Sequence, residues 1–136
     1  MTLRRRLAML SRFCRRLTIV SVAIAALVAA APADAHHGWA GQGTDTFELS
    51  GTLQTDVSTG GPHATMRIQD KSGQIWDLTL ASPGQTEQSG LKPGVIPIGA
   101  TVTISGKRNR DAKRFEVKTE RVTHAGKTYP VYPNRS

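Results

Sequence analysis

Residues 63–81, HATMRIQDKSGQIWDLTLA, decide the fold, because two alternating runs flank a single turn. Apolar residues stand at every second position of both runs: Ala64, Met66 and Ile68, then Trp76, Leu78 and Leu80. Side chains of a strand point alternately to its two faces, so each run predicts a strand with one buried face. Asp70 to Gly73 has the composition of a tight turn. The stretch therefore predicts a β-hairpin with strands over His63 to Asp70 and Gln74 to Ala81.

The same period of two occurs on both sides of this hairpin. A first strand is predicted from Phe47 to about Val57, and a fourth from Ala100 to Arg108. Gly51 lies in the middle of the first strand, where a glycine usually marks a bulge or a tight curve. We therefore expect this strand to bend, as the strands of a small closed barrel must.

The carboxyl-terminal part predicts two more strands. A fifth strand begins at Phe115, and its alternation has shifted by Val122, which predicts a bulge near Glu120. His124 to Lys127 has the composition of a tight turn, and the chain then returns along the sheet over Thr128 to Tyr132.

A short helix is predicted between the third and fourth strands. Ser82 to Gln85 has a capping-box pattern with proline at the first helical position, and Gly90 is placed to end a helix of about two turns. This order of elements predicts an all-β fold, a five- to six-stranded Greek-key barrel like the oligonucleotide/oligosaccharide-binding (OB) fold. A split sandwich of similar strands is the alternative, since periodicity alone does not separate the two.

The first 35 residues have the pattern of an export signal. Six arginines precede an apolar run, Leu17 to Ala31, which is followed by Ala33-Asp34-Ala35. The run is shorter than the ~20 residues that span a bilayer, so we expect cleavage after Ala35 and no stable membrane span in the mature form. The predicted organisation is a signal peptide over 1–35, an amino-terminal segment over 36–46, a barrel over 47–132 and a tail over 133–136. The predicted location is the bacterial periplasm or the exterior.

Charge and size narrow the function classes. The whole chain carries a net charge of +8, but six of its basic residues belong to the predicted signal, and the mature 101 residues carry +3. One small domain excludes a kinase, a dinucleotide-binding dehydrogenase and a transporter. Cys14 is the only cysteine and lies in the signal, so the mature chain forms no disulfide and no thiolate metal site. Arg15-Arg16 leaves twin-arginine export open beside the general secretory route.

Several segments together resemble a family of small exported bacterial proteins with no assigned function. Its members typically begin His-His-Ser-Trp/Phe-Ala after the signal and place Asn-Pro-His at the start of a strand. The matching segments here are His36 to Ala40, Leu49 to Leu53, Pro62-His63, Trp76 to Leu80, Ser82 to Leu91 and Val102 to Gly106. Gly61 stands where the family has asparagine, and the tryptophan common before that tripeptide is missing. The resemblance implies a periplasmic barrel and lends no mechanism.

The histidines suggest a metal site. Cleavage after Ala35 would give His36 a free amine beside its own imidazole, and these two nitrogens can chelate one Cu(II). His37 or His63 would supply a third nitrogen, whereas His124 lies in a predicted turn and is a weaker candidate. The competing interpretation is that adjacent histidines are simply polar residues near a processing site. Trp39 is expected to anchor this segment on the barrel, and Trp76 to belong to the core.

One dense basic cluster lies between the fourth and fifth predicted strands. It comprises Lys107, Arg108, Arg110, Lys113 and Arg114. In an OB-like barrel this turn belongs to the ligand-binding loops, so a weak anionic partner of the cell envelope, such as lipid phosphate, is one hypothesis. A solvated hairpin is the other. We expect no nucleic-acid partner, because the outward face of the second strand lacks the aromatic residues on which bases stack.

These patterns predict a protein that binds rather than transforms its partner. We find no serine in a Gly-x-Ser-x-Gly elbow, and the carboxylates are scattered over separate elements. The leading hypothesis is an exported binding protein with a copper-type ion at its amino-terminal histidines. The alternative is an interaction module whose barrel loops bind an envelope component, a protein or a saccharide. A copper redox enzyme is a third and lower-ranked hypothesis.

Overall fold

The computed structural model describes residues 39–135. Their secondary structure is six strands and one short helix, in the order expected. The elements are β1 (Phe47–Ser58), β2 (Thr65–Gln69), β3 (Ile75–Thr79), α1 (Pro83–Gln88), β4 (Thr101–Arg108), β5 (Glu116–His124) and β6 (Lys127–Pro130). The predicted signal peptide and the His36-His37 pair lie outside the described residues.

The hairpin predicted from residues 63–81 is confirmed. β2 and β3 are antiparallel, with Met66 opposite Leu78 and Ile68 opposite Trp76, so the apolar faces of the two strands coincide. β2 begins at Thr65, two residues later than predicted, which leaves His63 in the β1–β2 loop.

The turn of this hairpin is organised by one carboxylate. Asp70 accepts hydrogen bonds from the backbone N–H of Ser72 at 2.8 Å and from the indole N–H of Trp76 at 2.9 Å. Gly73 adopts a φ of +89°, a conformation that favours glycine. The pKa of Asp70 is lowered to about 2, first by the Ser72 hydroxyl and then by Trp76.

The strands close into a barrel. β1 pairs with β4 over its first half and with β2 over its second half, β4 pairs with β5, and β5 returns in parallel to β3. Asp77 lies opposite Glu116 in this last pairing. A sandwich would leave β3 and β5 unpaired, so the OB-like barrel is the correct alternative. β6 pairs with β5 outside the closed ring of five strands.

The predicted bulge is present, and β1 passes close to β2 at Gly51, where the bend is predicted. At Gly51 a Cβ atom would lie 2.6 Å from the carbonyl oxygen of Gln69, so β1 passes closer to β2 than a side chain permits. In β5, Thr119 and Arg121 face the adjacent residues Gly106 and Ser105 of β4, which leaves Glu120 as the extra residue of a bulge.

The core fills the barrel and extends beneath the helix. Its fully buried members include Leu53, Met66, Ile68, Leu78, Leu80, Val102, Ile104, Val117 and Val122. Trp76 belongs to it, as predicted. The Oγ of Ser82 accepts a hydrogen bond from the backbone N–H of Gln85 at 3.4 Å, and the buried Thr86 attaches α1 to the core. Within residues 39–135, no helix has the length and apolar character needed to cross a bilayer.

Candidate functional site

His63 lies against a lysine of β5. The Nζ of Lys118 is 3.4 Å from Nδ1 of His63 and 3.5 Å from Nε2. Because the two distances are nearly equal, the amine does not lie along the lone pair of either ring nitrogen. The contact therefore places a cationic group beside the imidazole.

Lys118 is the most unusual side chain of this region. Only 3% of the residue is exposed, although lysine is almost never fully buried without a partner. Its Nζ lies 5.6 Å from the ring centroids of both Trp39 and Tyr132. Among residues 39–135, no carboxylate lies within 4.0 Å of it, since the ion pairs found there join other residues. The lysine is enclosed by aromatic rings and a histidine.

Trp39 and Arg135 cover the outside of this region. The rings of Trp39 and Tyr132 meet edge to face with centroids 5.3 Å apart, and the guanidinium of Arg135 lies 4.1 Å from the Trp39 ring centroid. Arg121 donates a hydrogen bond to the backbone carbonyl of Arg135 at 2.9 Å, which holds the carboxyl-terminal segment in place. Trp39 thus packs on the barrel, as its sequence position predicts. We call Trp39, His63, Lys118, Tyr132 and Arg135 the Lys118 cluster.

The environment shifts the proton affinities of the cluster. Burial lowers the pKa of Lys118, and the positive charge of Arg135 lowers it further. The pKa of His63 is lowered by partial burial and then by the charge of Lys118, while a hydrogen bond with the Leu80 carbonyl opposes both effects. Burial raises the pKa of Tyr132, whose hydroxyl donates to the same carbonyl at 3.3 Å. His63 is therefore held in its neutral form at pH 7.

The histidines predicted as ligands are only partly described. His36 and His37 lie outside the described residues, so their relation to His63 stays a prediction. His124 is occupied elsewhere, because its Nδ1 lies 3.0 Å from the backbone carbonyl oxygen of Thr101. Between residues 39 and 135, no three histidine, cysteine or acidic side chains are grouped so that they could hold a metal.

The predicted basic cluster at the β4–β5 connection is partly engaged within the chain. Arg114 pairs with Glu116 at 2.8 Å. Arg108 lies 5.0 Å from the ring centroid of Trp76 and donates to the carbonyl of Ala112 at 3.1 Å. Lys107 donates to a threonine hydroxyl at 3.2 Å. The side chains of Arg110 and Lys113 are exposed. Because the other three basic side chains have contacts within the chain, the loop offers fewer charges to a partner than its composition indicates.

A polar groove crosses the outer face of β2 and β3. It has a volume of about 600 Å³ and is lined mostly by hydroxyl groups and two exposed ion pairs. Arg67 and Asp77 form one pair at 2.6 Å, with more than half of each side chain exposed, and Arg114 with Glu116 forms the other. No aromatic ring lines the groove. The surface can therefore exchange hydrogen bonds with a polar ligand but offers no stacking platform.

Sequence reasoning missed Lys118 and Arg135. The alternation of β5 places Lys118 on the face of the strand that Val117 does not occupy. The lysine is nevertheless buried because Trp39 and Tyr132 cover that face, and both lie far from it in sequence. The sequence does contain one signal for this cover: Trp39 precedes β1 and Tyr132 follows β6, so both can pack over the barrel wall.

Comparisons with known proteins add little to this geometry. No protein-family model matches the chain, and no curated protein matches it. Among solved structures, it is similar to the crystal structure of the ZRD-deleted mutant of TiaS in complex with agmatine. The two share 14% sequence identity with a TM-score of 0.47, over 66% of this chain and 27% of that chain. The match spans little more than a quarter of the TiaS chain.

Proposed function

We propose that the protein is an exported binding protein that holds a copper-type ion through the terminal amine and the imidazole of His36, with His37 or His63 as a third nitrogen ligand. Export would remove residues 1–35 and create a free amine on His36. The amine and the imidazole of one residue form a chelate, and nitrogen ligands suit Cu(II) in a tetragonal geometry. The site needs no thiolate, which agrees with a mature sequence that lacks cysteine.

One observation carries this proposal: Trp39 and His63 lie against the same residue, Lys118. Both side chains contact Lys118, His63 at 3.4 Å and the ring of Trp39 at 5.6 Å from its centroid. Trp39 follows His37 by two positions in the sequence. The backbone after Trp39 is also fixed, since Gln42 forms a β-bridge with Asn109. Trp39, the first described residue after the histidine pair in sequence, therefore lies in the neighbourhood of His63.

The chemical state of His63 also favours the proposal. A metal binds neutral imidazole, and the lowered pKa of His63 maintains that form near pH 7. The Leu80 carbonyl accepts a hydrogen bond from the ring, the type of contact that orients a metal-binding histidine through its other nitrogen. Lys118 opposes a second cation here, so His63 would contribute more strongly once that charge is removed.

Copper titration of correctly processed protein tests the proposal. We expect a 1:1 complex whose affinity falls at least about tenfold when one residue is added before His36, because the terminal amine then ceases to be a ligand. His63→Gln should also weaken binding, and His124→Gln is the matched control that should not. Equal affinity with and without the added residue would eliminate the terminal chelate. Mass spectrometry of native material that shows a mature protein beginning at another residue would also eliminate the terminal chelate.

The polar groove favours a second candidate, an interaction module for a polar envelope component. Its ion pairs are exposed, so a peptide or saccharide could replace internal contacts of Arg67 and Asp77 with contacts of its own. We expect an envelope partner to co-purify at low salt and to be lost in Arg67→Ala, while His63→Gln retains it. Retention by the Arg67 variant would refute this use of the groove.

A further inference from the structure

The Lys118 cluster contains two cationic side chains, and no acidic side chain of residues 39–135 forms an ion pair with either of them. Lys118 is buried, and Arg135 lies close enough to lower its pKa by charge repulsion. Both lie against the same indole ring, 5.6 Å and 4.1 Å from its centroid. The two charges are therefore within about 10 Å of each other, a distance over which salt screens them only partly.

The contacts within the chain stabilise these charges incompletely. The rings of Trp39 and Tyr132 lie near the outer limit of about 6 Å for a cation–π contact with Lys118. His63 is neutral or positive and so offers no counter-charge. Buried charges in proteins are normally paired, and within residues 39–135 the salt bridges occur elsewhere. An anion beside the Trp39 ring would be attracted by both cations.

We propose that Lys118 and Arg135 form a binding site for a small oxyanion of the phosphate class. The two residues supply complementary contacts: the ammonium acts as a point charge, and the planar guanidinium can donate two parallel hydrogen bonds. Arg135 is exposed, so an anion can reach its guanidinium from solvent, while Lys118 is buried beside Trp39 and Tyr132 and attracts the anion through its charge. Trp39 and Tyr132 form apolar sides that strengthen the electrostatic attraction by limiting water. The site does not depend on copper binding.

The position of this site differs from that of the basic loop at the β4–β5 connection. In the loop, Arg114 is neutralised by Glu116 and Arg108 lies against aromatic rings. In the Lys118 cluster, no described carboxylate competes with an incoming anion. The loop has more basic residues, but the Lys118 cluster has no paired carboxylate among the described residues, and this favours the cluster as the anion site.

Titration with inorganic phosphate at constant ionic strength, using chloride as the reference anion, tests the proposal. We expect saturable binding by calorimetry and a higher Tm in phosphate than in chloride. Lys118→Met and Arg135→Gln should each weaken phosphate binding about tenfold or more, the effect of losing one charge-assisted contact. The matched loop variants Lys113→Met and Arg110→Gln should bind as the native protein does. A second arm compares vesicles of phosphatidylglycerol with vesicles of phosphatidylcholine.

Each outcome bears on the proposal. Binding of free phosphate that both cluster variants lose supports a soluble ligand, and cluster-dependent binding only to the anionic vesicles supports a lipid headgroup. No preference for phosphate over chloride and no vesicle binding would overturn the site. Loss of binding in the loop variants, with retention in the cluster variants, would also overturn it. Because Arg135 is exposed, its variant is not expected to perturb folding, and its result remains interpretable if Lys118→Met changes stability.

Discussion

Replacing Lys118 with methionine should stabilise the protein in phosphate-free buffer. Methionine keeps the length and apolar surface of the lysine stem but removes the charge that is buried beside Trp39, Tyr132 and His63. The variant loses two cation–π contacts, each worth about 0.5 kcal/mol at such distances. It also removes the penalty for burying an ammonium, which is several kcal/mol before compensation. We expect a net gain of about 1–2 kcal/mol.

The pH dependence of stability provides a sharper test than its magnitude. The pKa of Lys118 is lowered in the folded protein from an ordinary value of 10.5, so between these two values the unfolded chain binds more protons than the folded one. The free energy of unfolding due to this group therefore rises with pH across that interval. In Lys118→Met this rise should be absent, and the stabilisation relative to the native protein should shrink as the pH approaches 10.5.

Thermal and urea unfolding between pH 7 and pH 10.5 measure both effects. For a domain of this size, a gain of 1 kcal/mol corresponds to a rise in Tm of about 4–8 °C. Lys113→Met is the matched control, because its side chain is exposed and its loss should change stability little. A lower Tm for Lys118→Met, or the same pH slope in this variant and the native protein, would refute the assignment of an uncompensated buried charge.

Three further predictions concern the scaffold. Hydrogen bonds from Ser72 and Trp76 lower the pKa of Asp70 to about 2, so the native protein should lose this stabilisation as pH falls from 3.8 towards 2. Asp70→Asn should lack this pH dependence, and identical acid unfolding curves for the variant and the native protein would contradict the prediction. Gly106→Ala should destabilise the barrel by about 2–3 kcal/mol in urea unfolding, since its Cβ would collide with the β5 backbone, and an unchanged midpoint would show that the strands can separate freely. Ala125→Gly should raise stability by about 0.5–1 kcal/mol, because Ala125 has a φ of +48° in the last turn; a lower Tm would show that the turn is unstrained.

The scaffold could be predicted because its signals are local. Alternation along residues 63–81 determines which faces of β2 and β3 are buried, and the phase shift before Val122 identifies the bulge at Glu120. The closure of the barrel has no such local signal. Pairing of β3 with β5 joins segments far apart in sequence, so it followed only from the order of elements and not from any pattern within them.

The candidate site was harder to predict because it depends on contacts between distant segments. His63 could be identified from its residue type, but nothing near it in sequence indicates Lys118 as its neighbour. In the basic loop, composition alone does not show which charges are paired: Glu116 lies just beyond the cluster and pairs with Arg114. Charge counted along the chain therefore does not distinguish a paired arginine from a buried lysine that lacks a described ion-pair partner.

The parallel pairing with β5 covers the outer edge of β3. A shortened chain that ends before Glu116 would contain the complete β2–β3 hairpin but would leave the outer edge of β3 with unpaired backbone N–H and C=O groups. Such an edge readily recruits a strand from a second molecule. Fragments that lack the residues from Glu116 onward are therefore expected to aggregate, because the last segment of the chain covers the backbone edge of β3.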